Sequence, residues 1–351
     1  MLEQAREVLE GEEAWIVGGA VRDEALARPL VDLDIACRDP EQAARRFSKA
    51  ARGAPFPLSE RHGAWRVALE DRRTVDFTPL NDGIEDDLAT RDFTINAVAR
   101  PLEGGEPADP FGGLADLERR VLRAVAPTAF QDDPLRLLRA VRLEDELGFR
   151  LDDGTMELVR RDASLVGRPA GERILAELMR LTAAGYERLD ELGLLAPLGG
   201  SLEHLRGLGE SSPEMRLVAV FGRGLQRLPV SNELRRYASA LLRAEPPDDL
   251  SARSVFRFRQ GTEPWAVDAA RFAGDGEELE RAIERARAAD PAEPLLRGDE
   301  LGLKPGPEIG RLLARVEEER AAGTISTREE AMELVRREAA SGTTAPEVTD
   351  S

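Results

Sequence analysis

The sequence predicts an α+β domain of about 120 residues followed by a remainder that is almost wholly helical. Three observations carry this. Residues 14–101 alternate short apolar or period-two runs with helical segments, whereas from about residue 127 the apolar spacing is helical throughout. Aromatic residues are only 5% of the chain, so its cores must be built from Leu, Ala and Val. Hydrophobic residues make up 42% of the 351, enough for two or three cores.

The elements follow in order. Residues 2–10 read as a helix, and "AWIVGG" (14–19) as a buried strand ending in a tight turn. "AVRDEALA" (20–27) reads as a helix stopped near Pro29. "VDLDIA" (31–36) alternates apolar and acidic residues, the mark of a half-buried strand. "DPEQAARRFSKAA" (39–51) opens with an Asp cap and Pro in the first turn, so it is a helix. "AWRVALE" (64–70) and "TVDFTPL" (74–80) form a strand pair around "EDRR". "GIEDDLATRD" (83–92) is a short helix and "FTINAVARP" (93–101) a strand-like run. Beyond, 129–149 reads as one helix ending at Gly148, with further helices over 154–167, 171–185 and most of 186–340. The polar end, 341–351, reads as disordered.

Composition excludes several function classes. One cysteine, Cys37, rules out an internal disulfide or a multi-cysteine zinc site, and two histidines, His62 and His204, rule out a His-rich metal site. No run of about 18 apolar residues exists and the acidic N-terminus is unlike a targeting peptide, so the expectation is a cytoplasmic protein with no membrane partner. The net charge of −18 by itself argues against nucleic acid. Yet nearly every basic residue is Arg, with Lys49 and Lys304 the only lysines. That bias reflects either phosphate recognition or genomic base composition.

Asp32 and Asp34 are i, i+2 on a strand, so both carboxylates leave one face. They are either a Mg²⁺ site, completed by water and substrate phosphate, or a solvent face that carries two aspartates. Asp76, in a later strand, would make a third carboxylate of the kind two-metal nucleotidyl transfer uses, or a polar edge position. Gly18 and Gly19 let the backbone turn and approach a phosphate, and Arg22 can add a charged fork. Asp133 and Arg136, i, i+3 on the expected helix, either present an acceptor and donors to a base edge or form an ordinary salt bridge. Cytosine and adenine share an exocyclic amine beside a ring acceptor. Arg139 and Arg142 continue that flank. Trp15, Trp65 and Trp265 read as core or rim residues, and His62 as a loop residue, an RNA contact or a catalytic group.

These motifs, in this order, resemble the class II tRNA nucleotidyltransferases: the CCA-adding enzymes and poly(A) polymerases of the polymerase-beta-like superfamily. "GGAVRDEALARPLVDLDIA" resembles the catalytic motif, "TRDFTINAVA" (90–99) the second, and "DPFGGLADLERRVLRAV" (109–125) the hinge. "DDPLRLLRAVRLEDELGF" (132–149) resembles the nucleotide-selecting helix, "GERILAEL" (171–178) the neck motif and 296–331 the tail. The resemblance implies a nucleotidyltransferase head with a mixed or antiparallel sheet at 1–125, a helical neck at 126–190 and a tRNA-binding body and tail at 191–340. It implies that Asp32 and Asp34 bind Mg²⁺ with Asp76 in support. Gly19, Arg22, Arg91, Asp132, Asp133, Arg136, Arg139 and Arg142 match nucleotide-contacting positions. The implied reaction is template-independent addition of C and A to the tRNA 3′ end from CTP and ATP, with release of pyrophosphate. Thr90 stands where the family has arginine, and Leu143 where it commonly has Phe. Only "TPLNDGIEDDLA" (78–89) fills an interval where many CCA-adding members carry a flexible loop, which leaves a CC-adding specialist open. A poly(A) polymerase, a silent RNA-binding protein and a small-molecule nucleotidyltransferase are the other readings. An acidic body that binds tRNA requires its arginines to gather on one side.

Overall fold

In the computed structural model of the chain, the described residues are 1–342 apart from 60–62, 72, 81 and 275. They form two compact units, Met1–Gly200 and a second that begins at Ser201. His62 and the terminal stretch 343–351 lie outside the described residues.

The first unit begins with α1 (Leu2–Val8), β1 (Ala14–Val17), α2 (Gly19–Ala25) and β2 (Asp32–Cys37). Helix α3 (Pro40–Ala51) starts as the sequence dictates: the Asp39 side chain accepts a bond from the Gln42 N–H, and Pro40 takes the first helical position. Strands β3 (Ala54–Ser59), β4 (Ala64–Ala68) and β5 (Thr74–Pro79) follow, then α4 (Ile84–Ala89) and a short β6 (Arg100–Pro101). The sheet order is β3-β4-β5-β2-β1-β6, antiparallel except for the central β2–β5 pair. The sheet is therefore mixed, within an α+β architecture.

The two faces of this sheet differ. One carries Ile16, Leu33, Ile35, Val67, Val75 and Phe77, buried with Phe47 of α3. The other is covered only in part, where Val17 and Ala36 pack with Leu88, Ala97 and Ala99. Asp32 and Asp34 occupy the uncovered stretch of that second face.

The expected strand over 93–101 is mostly absent. Thr94–Asn96 make a single 3₁₀ turn, and only Arg100 and Pro101 pair with β1. The run is apolar because Phe93, Ile95, Ala97, Val98 and Ala99 are all buried, not because it alternates across a sheet. Conversely, β3 was not anticipated. Pro55 and Pro57 interrupt its strand pattern, and such a strand is tolerated only at an edge, where β3 lies.

Helix α5 (Gly113–Arg119) leads to a small parallel pair, β7 (Val121–Leu122) with β8 (Arg150–Leu151), that frames the next helices. The single helix expected over 129–149 is two: α6 (Ala129–Asp132) and α7 (Arg136–Leu147). Asp133 is extended, with φ −140° and ψ 100°, because the residue before Pro134 is pushed out of the helical region. Helices α8 (Asp153–Asp162), α9 (Gly171–Leu178) and α10 (Ala183–Glu191) complete the unit. The helix expected over 171–185 is also broken. It stops at Leu178, and Thr182 caps a new one by accepting from the Gly185 N–H.

The second unit is all helix among its described residues: α11 (Pro213–Phe221), α12 (Asn232–Leu242), α13 (Ala252–Thr262), α14 (Ala266–Phe272), α15 (Gly276–Ala288), α16 (Pro307–Ala321) and α17 (Arg328–Gly342), with short 3₁₀ turns between. Helix α17 runs two residues into the stretch expected to be disordered from 341. Trp265 packs edge-on against Tyr237, and in the first unit Arg45 lies over the Trp65 ring, so both are packing residues.

Candidate active site

A cavity of about 850 Å³ opens over the uncovered sheet face of the first unit. Its wall includes Gly18, Gly19, Arg22, Asp32, Asp34, Arg91, Asp133, Arg136, Arg139 and Arg142. Residues chosen from three separate sequence motifs therefore converge. Asp76 stands one strand behind the wall.

Its floor is β2. Asp34 pairs in register with Asp76 of β5, and Asp32 with Thr74, whose hydroxyl donates to Asp32 Oδ1 at 2.7 Å. Burial, then the neighbouring charges of Asp76 and Asp32, push the Asp34 carboxyl up to about 6, although Arg91 and Arg66 pull the other way. Asp76 is 9% exposed, and Arg66 of β4 holds both its oxygens at 2.7 Å. That bond, before any other influence, raises the Arg66 pKa. Among the described residues, no three His, Cys, Asp or Glu side chains are grouped to hold a metal ion. The expected three-carboxylate cluster is thus two carboxylates and an arginine-locked third. Two aspartates still fit Mg²⁺, which commonly takes one or two protein carboxylates and fills its shell with water and substrate phosphate. A carboxylate raised first by burial and then by like charges is also a group that a cation relieves.

Gly18 closes the turn from β1 into α2 with φ +68° and ψ −136°. A Cβ there would stand 3.1 Å from Asp34 Oδ2 and 3.4 Å from Arg91 Nη1. Gly18→Ala is expected to strain the turn by about 1–3 kcal/mol and to displace Asp34. Thermal melting and nucleotide addition should both fall; wild-type values in both would mean that the turn accepts a side chain.

The arginines are not loose. Arg22 is forked onto Asp23 and donates to Asn96 Oδ1 at 2.7 Å. Asn96 donates to Asp92 Oδ1 at 2.9 Å, and Asp92 takes Arg139 Nε of α7 on its other oxygen at 2.7 Å. Asp92 is only 6% exposed. Burial raises its pKa, but the Arg139 charge and the bonds from Asn96, Arg139 and the Phe93 N–H outweigh that and hold it below the usual range. Arg91 is braced by Asp87. Arg142 is 5% exposed between Glu177 and Glu146, so it braces α7 rather than projecting along an open flank.

The Asp133–Arg136 pair is not formed as expected. With Asp133 extended, its carboxylate accepts from Arg173 of α9 at 2.8 Å and from the Leu135 N–H at 3.1 Å. Burial works upward on its pKa, but the Arg173 bond and those that follow leave it lowered. Arg136 instead donates to the carbonyls of Ala129 and Thr90. Thr90, which replaces an arginine of the motif, thus contributes through its backbone. Both Asp133 and Arg136 still line the cavity. Asp132 accepts from the Thr128 hydroxyl and is not on the wall. The residues that sequence reasoning passed over are Arg66, Asn96, Arg173 and Glu177. Each left a signal: Arg66 is a charge in the middle of an otherwise apolar strand, Asn96 lies in the motif at 90–99, and Arg173 and Glu177 lie in the motif at 171–178.

Residues 14–123 match the poly A polymerase head domain. The chain is 33% identical to the A-adding tRNA nucleotidyltransferase of Deinococcus radiodurans, over 92% of this chain and 95% of that protein. It is also 33% identical to the CC-adding tRNA nucleotidyltransferase of Thermus thermophilus, over 91% and 92%. Among solved structures, the Bacillus stearothermophilus CCA-adding enzyme in complex with CTP superimposes with a TM-score of 0.76 at 25% identity, covering 97% of this chain and 98% of that one. With a matching head domain and relatives 33% identical over nearly their full length, the chain belongs to the tRNA nucleotidyltransferase family.

Proposed function

We propose that the chain extends the 3′ end of tRNA with nucleotides from CTP and ATP. The RNA 3′ oxygen bonds to the α-phosphorus of the nucleoside triphosphate, and the bond to the bridging oxygen breaks to release pyrophosphate. The observation that carries the reading is the meeting of Gly18, Asp34 and Arg91 in one arginine-walled cavity. Nucleotidyltransferases of this superfamily use divalent metal ions; here we assign Mg²⁺, held by Asp32 and Asp34, which when bound neutralises the α-phosphate and acidifies the attacking hydroxyl.

The chain's own residues do the rest. The side-chain-free turn at Gly18 admits a phosphate close to the backbone. Arg22 and Arg91 supply fixed forks for the triphosphate. Asp133, held by Arg173, offers an acceptor to the exocyclic amine that cytosine and adenine share, and Arg136 offers donors. Asp76 is held by Arg66, and its charge beside Asp34 makes a bound cation more favourable there. The functional division into head (1–125), neck (126–190) and body with tail (191–340) belongs to this proposal, as does a cytoplasmic setting. In the second unit, a groove of about 610 Å³ is lined by Arg223, Arg235 and Arg243 with no carboxylate, and this supports an RNA-binding body. No helix among the described residues is long and apolar enough to cross a membrane.

A narrower specificity is the second reading. Strand β5 ends at Pro79 and α4 begins at Ile84, a short connection that favours CC addition. The two relatives at 33% identity carry opposite specificities, A and CC. Purified protein is given tRNA lacking its 3′ end, or tRNA ending in CC, with CTP, ATP or both. A CCA-adding enzyme completes both RNAs and stops. A CC-adding enzyme ignores ATP, an A-adding one extends only the CC end, and a poly(A) polymerase elongates with ATP alone. No transfer to any RNA would overturn the proposal.

A further inference from the structure

The sheet face that carries Asp34 continues past the carboxylates to the edge. Side chains directly opposite on neighbouring strands share a face. The partners Asp34–Asp76, Asp76–Arg66 and Arg66–Phe56 run in one line from β2 to β3. The adjacent line is Asp32, Thr74, Ala68 and Ala54, so the floor beside the charged line is made of small side chains.

The line ends on an unusual residue for a surface. Phe56 is 41% exposed, and Leu58, where the ladder bulges, is 45% exposed. Val31, next to Asp32, is 53% exposed. A single exposed apolar side chain needs no explanation. Here three of the four large exposed apolar residues among those described flank one open sheet face. Pairing with a further strand does not account for them. Pro55 and Pro57 alternate with Phe56 and have no N–H to give, so this edge is closed to strand addition. Arg66, with its side chain about one-third exposed (34%), places positive charge between the aromatic ring and the carboxylates.

We propose that Phe56 is a stacking platform for a base of the RNA substrate near its reacting 3′ end, with the sugar–phosphate chain crossing the small-residue floor of β4 and β5 toward Asp34. This rests on the tRNA reading above. Three strand spacings of about 4.8 Å put Phe56 roughly 14 Å from Asp34. The stacked base therefore belongs to a nucleotide behind the terminus, not to the incoming nucleotide in the arginine-walled cavity. Stacking accepts any base through its π-face, so it holds the RNA end without reading it. Phe56 is a positioning residue and touches no reacting atom.

The test uses the full chain and a fluorescent acceptor-stem RNA, first in binding without nucleotide and then in steady-state addition. Phe56→Ala should weaken RNA binding about tenfold and raise KM for RNA alike, leaving kcat, KM for CTP and the melting temperature unchanged. Phe56→Trp should restore binding and Phe56→Leu should not. Removing single bases near the 3′ end identifies the partner: at one position wild type and Phe56→Ala become equal. Full RNA binding by Phe56→Ala, complete rescue by leucine, or a change in oligomeric state in place of RNA affinity would each overturn the platform. Phe56-dependent RNA binding without nucleotide transfer would sustain the platform and sink the reaction assigned above.

Discussion

Asp34→Asn is expected to abolish nucleotide addition and, in metal-free buffer at neutral pH, to make the protein more stable. The loss of activity follows from removing one of two candidate metal carboxylates. The gain follows from the raised pKa. Burial first, then the charges of Asp76 and Asp32, push the folded-state value up to about 6. The unfolded value is lower, so the folded chain binds this proton more tightly. Stability therefore falls as pH rises from about 4 to 6, and the full penalty stands above pH 6. A shift of roughly two units corresponds to about 3 kcal/mol. For a unit of this size that is a rise of roughly 5–10 °C in melting temperature. Below about pH 4 the carboxyl is neutral in both states and the advantage of Asn disappears. Melting in EDTA across pH 3.5–8, with a single-turnover addition assay, checks both halves. A variant that still transfers nucleotides removes Asp34 from the chemistry; one that melts below wild type at pH 7.5 removes the electrostatic account.

Arg139→Leu is expected to cost the first unit about 3–5 kcal/mol, because it strands the Asp92 carboxylate in the interior. Asp92 is 6% exposed and its strongest opposing charge is Arg139, 2.7 Å away. In the wild type its pKa is held below the usual range, so its contribution to stability is present above the unfolded value, near 4, and is lost only as pH falls below that. In the variant burial is unopposed by the guanidinium and the pKa moves upward. The deficit should narrow on acidification, the reverse of ordinary acid sensitivity. Adding Asp92→Asn should recover part of the loss at neutral pH, because an amide in the same place carries no charge to strand. Chemical unfolding at pH 7.5 and 5 measures these terms. Strict additivity of the two substitutions would mean that the pair does not act as one.

The order of elements in the head was legible because it rests on short-range patterns. The alternation in "VDLDIA" set both the strand and the shared face of Asp32 and Asp34, and Asp39–Pro40 set the start of α3. Motif order also named Arg22, Arg91, Arg136, Arg139 and Arg142, which line one cavity. What periodicity could not supply was long-range pairing. Asp133 looks like a partner of Arg136 at three residues' distance, yet it pairs with Arg173, forty residues away, once Pro134 breaks the helix. Asp76 looks like a free third carboxylate until the β4–β5 register sets Arg66 opposite it. The strand misread at 93–101 failed for another reason: a segment enclosed by core on all sides carries no alternation to separate strand from turn.

The chain Arg22–Asn96–Asp92–Arg139 has a consequence for how this sequence can change. Its ends lie in α2, whose Arg22 is proposed to grip phosphate, and in α7, the helix proposed to flank the base. Each interior member serves two neighbours with different atoms, so no single replacement suits both. A shorter side chain at position 92 or 96 unseats arginines on two elements together. Drift at these four positions should therefore be concerted, and libraries that vary α7 to alter nucleotide choice should yield active variants mainly when positions 92 and 96 are left fixed or varied alongside it.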